Sequence, residues 1–201
     1  MSRRIAVLDY GSGNLHSVSR ALAHVGGDVL VTSDPEVVDR GDALLIPGVG
    51  HFGQCMRALR ERRLDAAIER FTTSPRWVLG VCIGMQILFD GSEEDAEPGL
   101  GLVEGTIRRF PAGVTAPHMG WNTVSFPLPH AFHAGLDGEY FYFVHSYAAF
   151  DRVGVGVTDY GAPFAAAIAT QRIYATQFHP EKSGEAGLQF YENLVKAVTA
   201  S

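Results

Sequence analysis

Trp77-Val78-Leu79-Gly80-Val81-Cys82-Ile83-Gly84-Met85-Gln86 decides how this chain folds. Trp77 to Val81 is an apolar run of strand-forming residues, short enough for a strand buried on both faces. Ile83 to Phe89 then opens a helix. Only Cys82 stands between them, with a glycine two residues to either side. A strand that turns into a helix within one residue forces that residue into strained backbone geometry, and neighbouring side chains would clash. Glycine at both flanks removes the clash, which is the G-x-nucleophile-x-G logic of a nucleophile elbow. The elbow sets the thiol at the start of the helix, where the dipole and free N–H groups favour a thiolate. The N–H of Ile83 is placed to donate to an oxyanion. The plainer alternative is a buried structural cysteine. The glycines and the strand-to-helix setting favour the nucleophile.

Upstream of the elbow, strands and helices alternate. Arg4–Asp9, Asp28–Thr32 and Ala43–Ile46 read as strands, and Ser17–Val25 as a helix. A longer helix is expected from about Gln54 to Phe71, with Leu64, Ala67, Ile68 and Phe71 at i, i+3, i+4 and i+7. Alternation of this kind implies a parallel sheet with helices on its faces. Downstream, Thr106–Phe110, Thr123–Phe126, Tyr140–Tyr147, Val153–Thr158, Phe164–Thr170 and Ile173–Gln177 read as strands with short connections. Gly91–Gly99 reads as an acidic loop, and a last helix begins after Ser183 as N-cap, with Leu188, Tyr191, Val195 and Val198 on one face. The expected fold is α/β: a mostly parallel central sheet flanked by helices, with an antiparallel extension in the second half, as one domain over residues 1–201.

A thiolate needs a base, and the base needs an orienter. His179-Pro180-Glu181 supplies both, since residues two apart on an extended chain point the same way. The bland alternative is a surface turn; the apolar lead-in Ile173–Phe178 argues against it. His145, in Tyr142-Phe143-Val144-His145-Ser146-Tyr147, is the rival base but has no carboxylate two residues on. Pro47-Gly48-Val49-Gly50 follows a strand and reads either as the second half of an oxyanion hole or as an ordinary turn. Gly11-Ser12-Gly13 lacks the third glycine of a dinucleotide fingerprint, because His16 takes its place. Cys55, at the start of an amphipathic helix, reads as core.

Composition narrows the class. The chain has 201 residues, 46% of them hydrophobic, and a formal charge of −6, which leaves no electrostatic footprint for nucleic acid. The apolar stretch Ile5–Leu8 is too short for a signal peptide, and no run approaches the roughly 20 residues of a membrane span. Two cysteines make no disulfide framework, and a reducing cytoplasm is expected. No His/Cys/Asp cluster has metal-ligand spacing, so no metal or cofactor is expected.

Gly80-Val81-Cys82-Ile83-Gly84-Met85-Gln86 and Gln177-Phe178-His179-Pro180-Glu181 together resemble the two central motifs of the class I glutamine amidotransferases, the triad type. The likeness runs from about residue 5 into the last helix. It is closest to the branch of glutaminase subunits that serve histidine biosynthesis. Asp9-Tyr10-Gly11-Ser12-Gly13-Asn14-Leu15, Pro117-His118-Met119-Gly120-Trp121-Asn122, Val144-His145-Ser146-Tyr147 and Lys182-Ser183 carry that closer match. The resemblance implies a Cys82–His179–Glu181 triad hydrolysing L-glutamine to glutamate and ammonia. It implies an oxyanion hole at Ile83 and Gly50, and a glutamine pocket of Gln86, Glu94, His145, Ser146 and Tyr147. It implies a heterodimer in which ammonia passes to a separate cyclase subunit, a (β/α)8 barrel, to form imidazole glycerol phosphate and AICAR, with Asn14 and Trp121 at the interface. The elbow alone leaves two alternatives open: an amidotransferase serving another synthase, or a non-catalytic subunit of the same fold.

Overall fold

The structure is a computed structural model and describes residues 4–151 and 154–200. Its strands and helices follow from burial period. β1 (Arg4–Leu8), β3 (Ala43–Ile46) and β4 (Trp77–Val81) are short apolar runs covered on both faces, as parallel strands require. β2 (Asp28–Thr32) is half-covered and lies at the edge. Between them run α1 (Leu15–His24), the single-turn α2 (Pro35–Val38), α3 (Phe52–Glu61) and α4 (Leu64–Thr72). After β4 come α5 (Ile83–Gln86), β5 (Phe89–Ser92), β6 (Val103–Arg109), β7 (His118–Thr123), β8 (Tyr140–His145), β9 (Tyr147–Ala148), β10 (Gly156–Asp159), β11 (Pro163–Ala169), β12 (Ile173–Thr176) and α6 (Gly184–Ala200).

The central sheet has seven strands in the order β10-β11-β12-β4-β3-β1-β2. From β2 to β12 the pairing is parallel; β11 and β10 add the antiparallel edge. The expected α/β fold with a mostly parallel sheet is therefore what the chain adopts. The second half extends that sheet less than expected. β5, β6 and β9 form a small sheet of their own, and β7 and β8 a separate hairpin. Among the described residues no helix is long and apolar enough to cross a membrane.

Five local readings are corrected. The helix expected over 54–71 is two, broken at Arg62 and Arg63, the latter in the left-handed region at φ 57°. The apolar stripe explains the break: it jumps five residues from Leu59 to Leu64, about 140° out of phase, so one straight helix cannot bury both stripes. The helix after the elbow lasts only to Gln86, because the returning segment captures its next carbonyls: Leu100 N–H bonds to Ile87 O, and Leu102 and Val103 N–H to Leu88 O. The strand placed at Thr123–Phe126 lies earlier, at His118–Thr123, paired with β8 from His118↔His145 to Thr123↔Tyr140. Ser183 precedes α6 as expected, but its hydroxyl donates to His179 O at 2.6 Å and accepts from Tyr142 N at 3.0 Å. The covered face of α6 is Phe190, Tyr191, Leu194 and Val198, with Leu188 and Val195 half-buried. Val153, the expected start of the tenth strand, lies outside the described residues.

Candidate active site

Three adjacent parallel strands end at one place. β3 runs into Pro47–Gly50, β4 into Cys82 and β12 into Gln177–His179. The carboxyl ends of parallel strands are where an α/β sheet presents its ligands. Cys82 turns the elbow at φ 56°, ψ −110°. The turn depends on close approach: a Cβ on Gly84 would stand 1.8 Å from Ile46 O, and one on Gly80 2.5 Å from Gly84 O. No side chain larger than hydrogen fits at either place.

His179 is clamped at its backbone. Its N–H bonds to Tyr142 O at 2.9 Å, and its carbonyl accepts from the Ser183 hydroxyl. Its Nδ1 lies 2.8 Å from Glu181 Oε1, both side chains being buried. The contact is made across a 3₁₀ turn at Pro180–Lys182, not along the extended chain that the spacing suggested. Tyr191, from α6, donates to Glu181 Oε2 at 3.5 Å. Burial, and the carboxylate beside it, hold the Tyr191 phenol well above its usual pKa, so it stays a donor. Among the described residues His179 Nε2 has no hydrogen-bond partner; it is buried and faces Cys82. Burial alone would depress the imidazolium, but a thiolate on Cys82 and the carboxylate of Glu181 outweigh it and raise the pKa to about 10.

In front of this pair lies a cavity of about 660 Å³. It brings together Cys82, His179, Ile83, Gly50, Gln86, Glu94, His145, Ser146, Tyr147 and Asn14. Glu181 stands behind His179, and Trp121 lies outside the cavity, 55% exposed on β7. Glu94 Oε2 accepts from Phe52 N at 2.8 Å, which ties the acidic loop to the start of α3. Asn14 caps α1 through a bond from Ser17 N at 3.4 Å. Gln86 Nε2 donates to Tyr147 O and to Gln177 Oε1, each at 3.0 Å, while its buried Oε1 has no partner among the described residues.

Both ring nitrogens of His145 are taken by groups other than the thiol. Its Nδ1 meets Tyr147 O at 2.8 Å and its Nε2 meets His118 Nδ1 at 3.3 Å. A carbonyl only accepts, so Nδ1 carries the proton and Nε2 accepts from His118. His118 is stacked between Phe143 and Tyr160. Burial pushes His118 down to about 4 and His145 to about 3, so both are neutral. The rival base is thus a wall residue.

The Pro47–Gly50 turn is held from behind. The Ser12 hydroxyl donates to Val49 O and accepts from Val49 N at 3.3 Å. Cys55 Sγ lies 3.4 Å from the same hydroxyl. Gly50 has φ +104°, open to glycine alone without strain. Ser12, Cys55, Gln177 and Tyr191 were not singled out for the site by sequence. Gln177 alone carried a usable signal, as a polar residue at the buried end of a strand.

A family model described as glutamine amidotransferase class-I matches residues 6–197. The chain belongs to that family. Among class-I amidotransferases it is similar to the imidazole glycerol phosphate synthase subunit HisH of Methanothermobacter thermautotrophicus, 46% identical over 199 residues, covering 98% of this chain and 100% of that one. It is similar also to the subunit of the same name from Methylococcus capsulatus, at 46% identity over 96% of this chain and 95% of that one. Among solved structures, PurLQS from Thermotoga maritima superposes with a TM-score of 0.78 at 18% identity, over 98% of this chain and 99% of that chain, which shows the shared fold.

Proposed function

We propose that the chain is the glutaminase subunit of an imidazole glycerol phosphate synthase, acting as one amidotransferase domain in the cytoplasm. It hydrolyses L-glutamine to glutamate and ammonia at Cys82, His179 and Glu181. The observation that carries this is the doubly anchored His179, whose ring nitrogen without a partner among the described residues faces the elbow thiol in the cavity. The near-full-length similarity to HisH subunits supports the choice of substrate and pathway.

The Cys82 thiol passes its proton to His179, leaving a thiolate and an imidazolium. Sulfur attacks the side-chain amide carbon of glutamine, and the carbonyl becomes an oxyanion. Ile83 N–H receives it, at the opening of a helix whose first N–H groups have no carbonyl partner within the helix. The Val49–Gly50 peptide supplies the second donor, the Gly50 N–H, once its Val49 carbonyl is released from the Ser12 hydroxyl; glycine at 50 makes that turn inexpensive. The imidazolium protonates the departing nitrogen, and ammonia leaves a glutamyl thioester. Water, deprotonated by His179, resolves it to glutamate and the free thiol. Glu94 suits the α-ammonium of glutamine, backbone of residues 145–147 its carboxylate, and the unpartnered Gln86 Oε1 an N–H donor of the substrate.

The partner is a separate cyclase subunit, a (β/α)8 barrel; the relatives' names, each a subunit of a synthase, support a second subunit. The outer face of the β7–β8 hairpin suits it. Met119, Trp121 and Tyr140 are 63%, 55% and 59% exposed there, and a cluster of exposed aromatics marks interfaces. Asn14, at the rim of the cavity, belongs to the same contact. The test is glutamine turnover titrated with purified cyclase. Turnover should rise on adding the cyclase and vanish in Cys82→Ala. Residual wild-type ammonia release in that variant would sink the triad, and indifference to the cyclase would point to another synthase.

A further inference from the structure

The elbow sulfur has a side-chain hydrogen-bonding neighbour outside the triad. β4 and β12 stay in register up to Val81↔Thr176, and Cys82 N–H continues the ladder onto Thr176 O at 2.8 Å. The residue that follows Thr176 is therefore delivered to the sulfur. It is Gln177, fully buried, with Nε2 3.7 Å from Cys82 Sγ.

An amide has a donor end and an acceptor end, and its other bonds decide which end faces a given atom. Here the decision starts from a main-chain carbonyl. Tyr147 O can only accept, so the Gln86 atom beside it is the nitrogen, which also meets Gln177. A nitrogen must meet an oxygen, so Gln177 Oε1 faces Gln86 and Gln177 Nε2 faces sulfur. Tyr147 O is fixed in turn by His145 Nδ1–H at 2.8 Å.

We propose that Gln177 is a further catalytic residue, whose amide donates a hydrogen bond to the Cys82 sulfur and favours its ionised form, with Gln86 as the positioning residue that fixes the amide's direction. A thiolate is a strong acceptor and a thiol a weak one, so a fixed donor stabilises the charged state over the neutral one. The donor matters here because α5 is a single turn, too short for the macrodipole of a full helix. The thiol proton still goes to His179, and Gln177 keeps both of its own throughout. The bond weakens as sulfur loses charge to the substrate carbon and is restored when the thioester is hydrolysed. The proposal rests on the glutaminase reading only in taking Cys82 as the nucleophile.

The test is the pH dependence of Cys82 carbamidomethylation by iodoacetamide in the full chain, without glutamine or partner. Mass spectrometry of the Cys82 peptide keeps Cys55 out of the signal. Gln177→Met fills the volume without a donor and should raise the midpoint by about one pH unit. Gln177→Glu, different by one atom, should raise it further by setting a carboxylate against the sulfur. Gln86→Met should move it the same way by less, and add nothing in the Gln177→Met background. A midpoint that is unchanged or lowered in a natively folded Gln177→Met or Gln177→Glu overturns the proposal. A packing role alone would leave the midpoint in place. If Cys82→Ala abolishes turnover while the Gln177 variants titrate like wild type, this proposal fails and the glutaminase reading stands. Turnover surviving in Cys82→Ala fails the reading instead.

Discussion

Two walls of one pocket each carry a buried histidine, and the environments behind them differ. At the end of β12, His179 has a carboxylate at 2.8 Å and is raised to about 10. At the end of β8, His145 has a second imidazole and a carbonyl behind it and is depressed to about 3. The same side chain, equally hidden from water, is thereby made a cation on one wall and a neutral strut on the other. Burial disfavours charge at both; only at His179 is there an opposite charge to reverse the outcome. What decides a histidine's use is the group on its far nitrogen.

The comparison breaks most visibly at the charged wall. His179→Asn removes the proton carrier, and kcat should fall about 10²- to 10⁴-fold, measured as glutamate release with the cyclase present. If the fall is small, His145 or water does the work and the two walls have been misassigned. Glu181→Gln keeps a hydrogen-bond acceptor but removes the charge. A charge-assisted bond contributes about 1.5–3 kcal/mol, so activity should drop about 10- to 150-fold. The alkaline limb of the pH profile should move down, because the imidazolium has lost one of the charges that hold it up. The smallest effect belongs to the neutral wall. In the unfolded chain His118 and His145 take up protons near 6.5, but in the folded chain only near 4 and 3. Their contribution is fully present above 6.5 and is lost as pH falls toward those values. By about pH 5.5 the loss should be roughly 1 kcal/mol per histidine, read as a lower urea midpoint than at about pH 7.5. A flat profile would mean that this wall is open to water or already charged.

The parallel half of the fold was legible because its strands are short apolar runs, buried on both faces everywhere but at the edge strand β2. The runs at Asp28–Thr32, Ala43–Ile46 and Trp77–Val81 have the bounds the apolar pattern implies. Elements set by return contacts were not. α5 stops where a segment more than ten residues later takes its carbonyls, and no local pattern announces that. β7 was misplaced because Met119 and Trp121 put apolar side chains outward, which inverts the usual alternation. In the site, Cys82, His179 and Glu181 could be named from chemistry and spacing. Gln177 and Tyr191 could not be assigned a role, because what brings them to Cys82 and Glu181 is strand register and helix docking.

The neutral wall has one further consequence. Its bonds all run in one direction: Asn122 toward His118, His118 toward His145, His145 toward the carbonyl of Tyr147. The row begins at an amide and ends at a peptide oxygen, and neither gives or takes a proton near neutrality. In electrical language it is an insulator with polarity. It transmits orientation from the outer hairpin to the edge of the pocket while conducting no charge, so in the proposed reaction every proton transfer passes through His179.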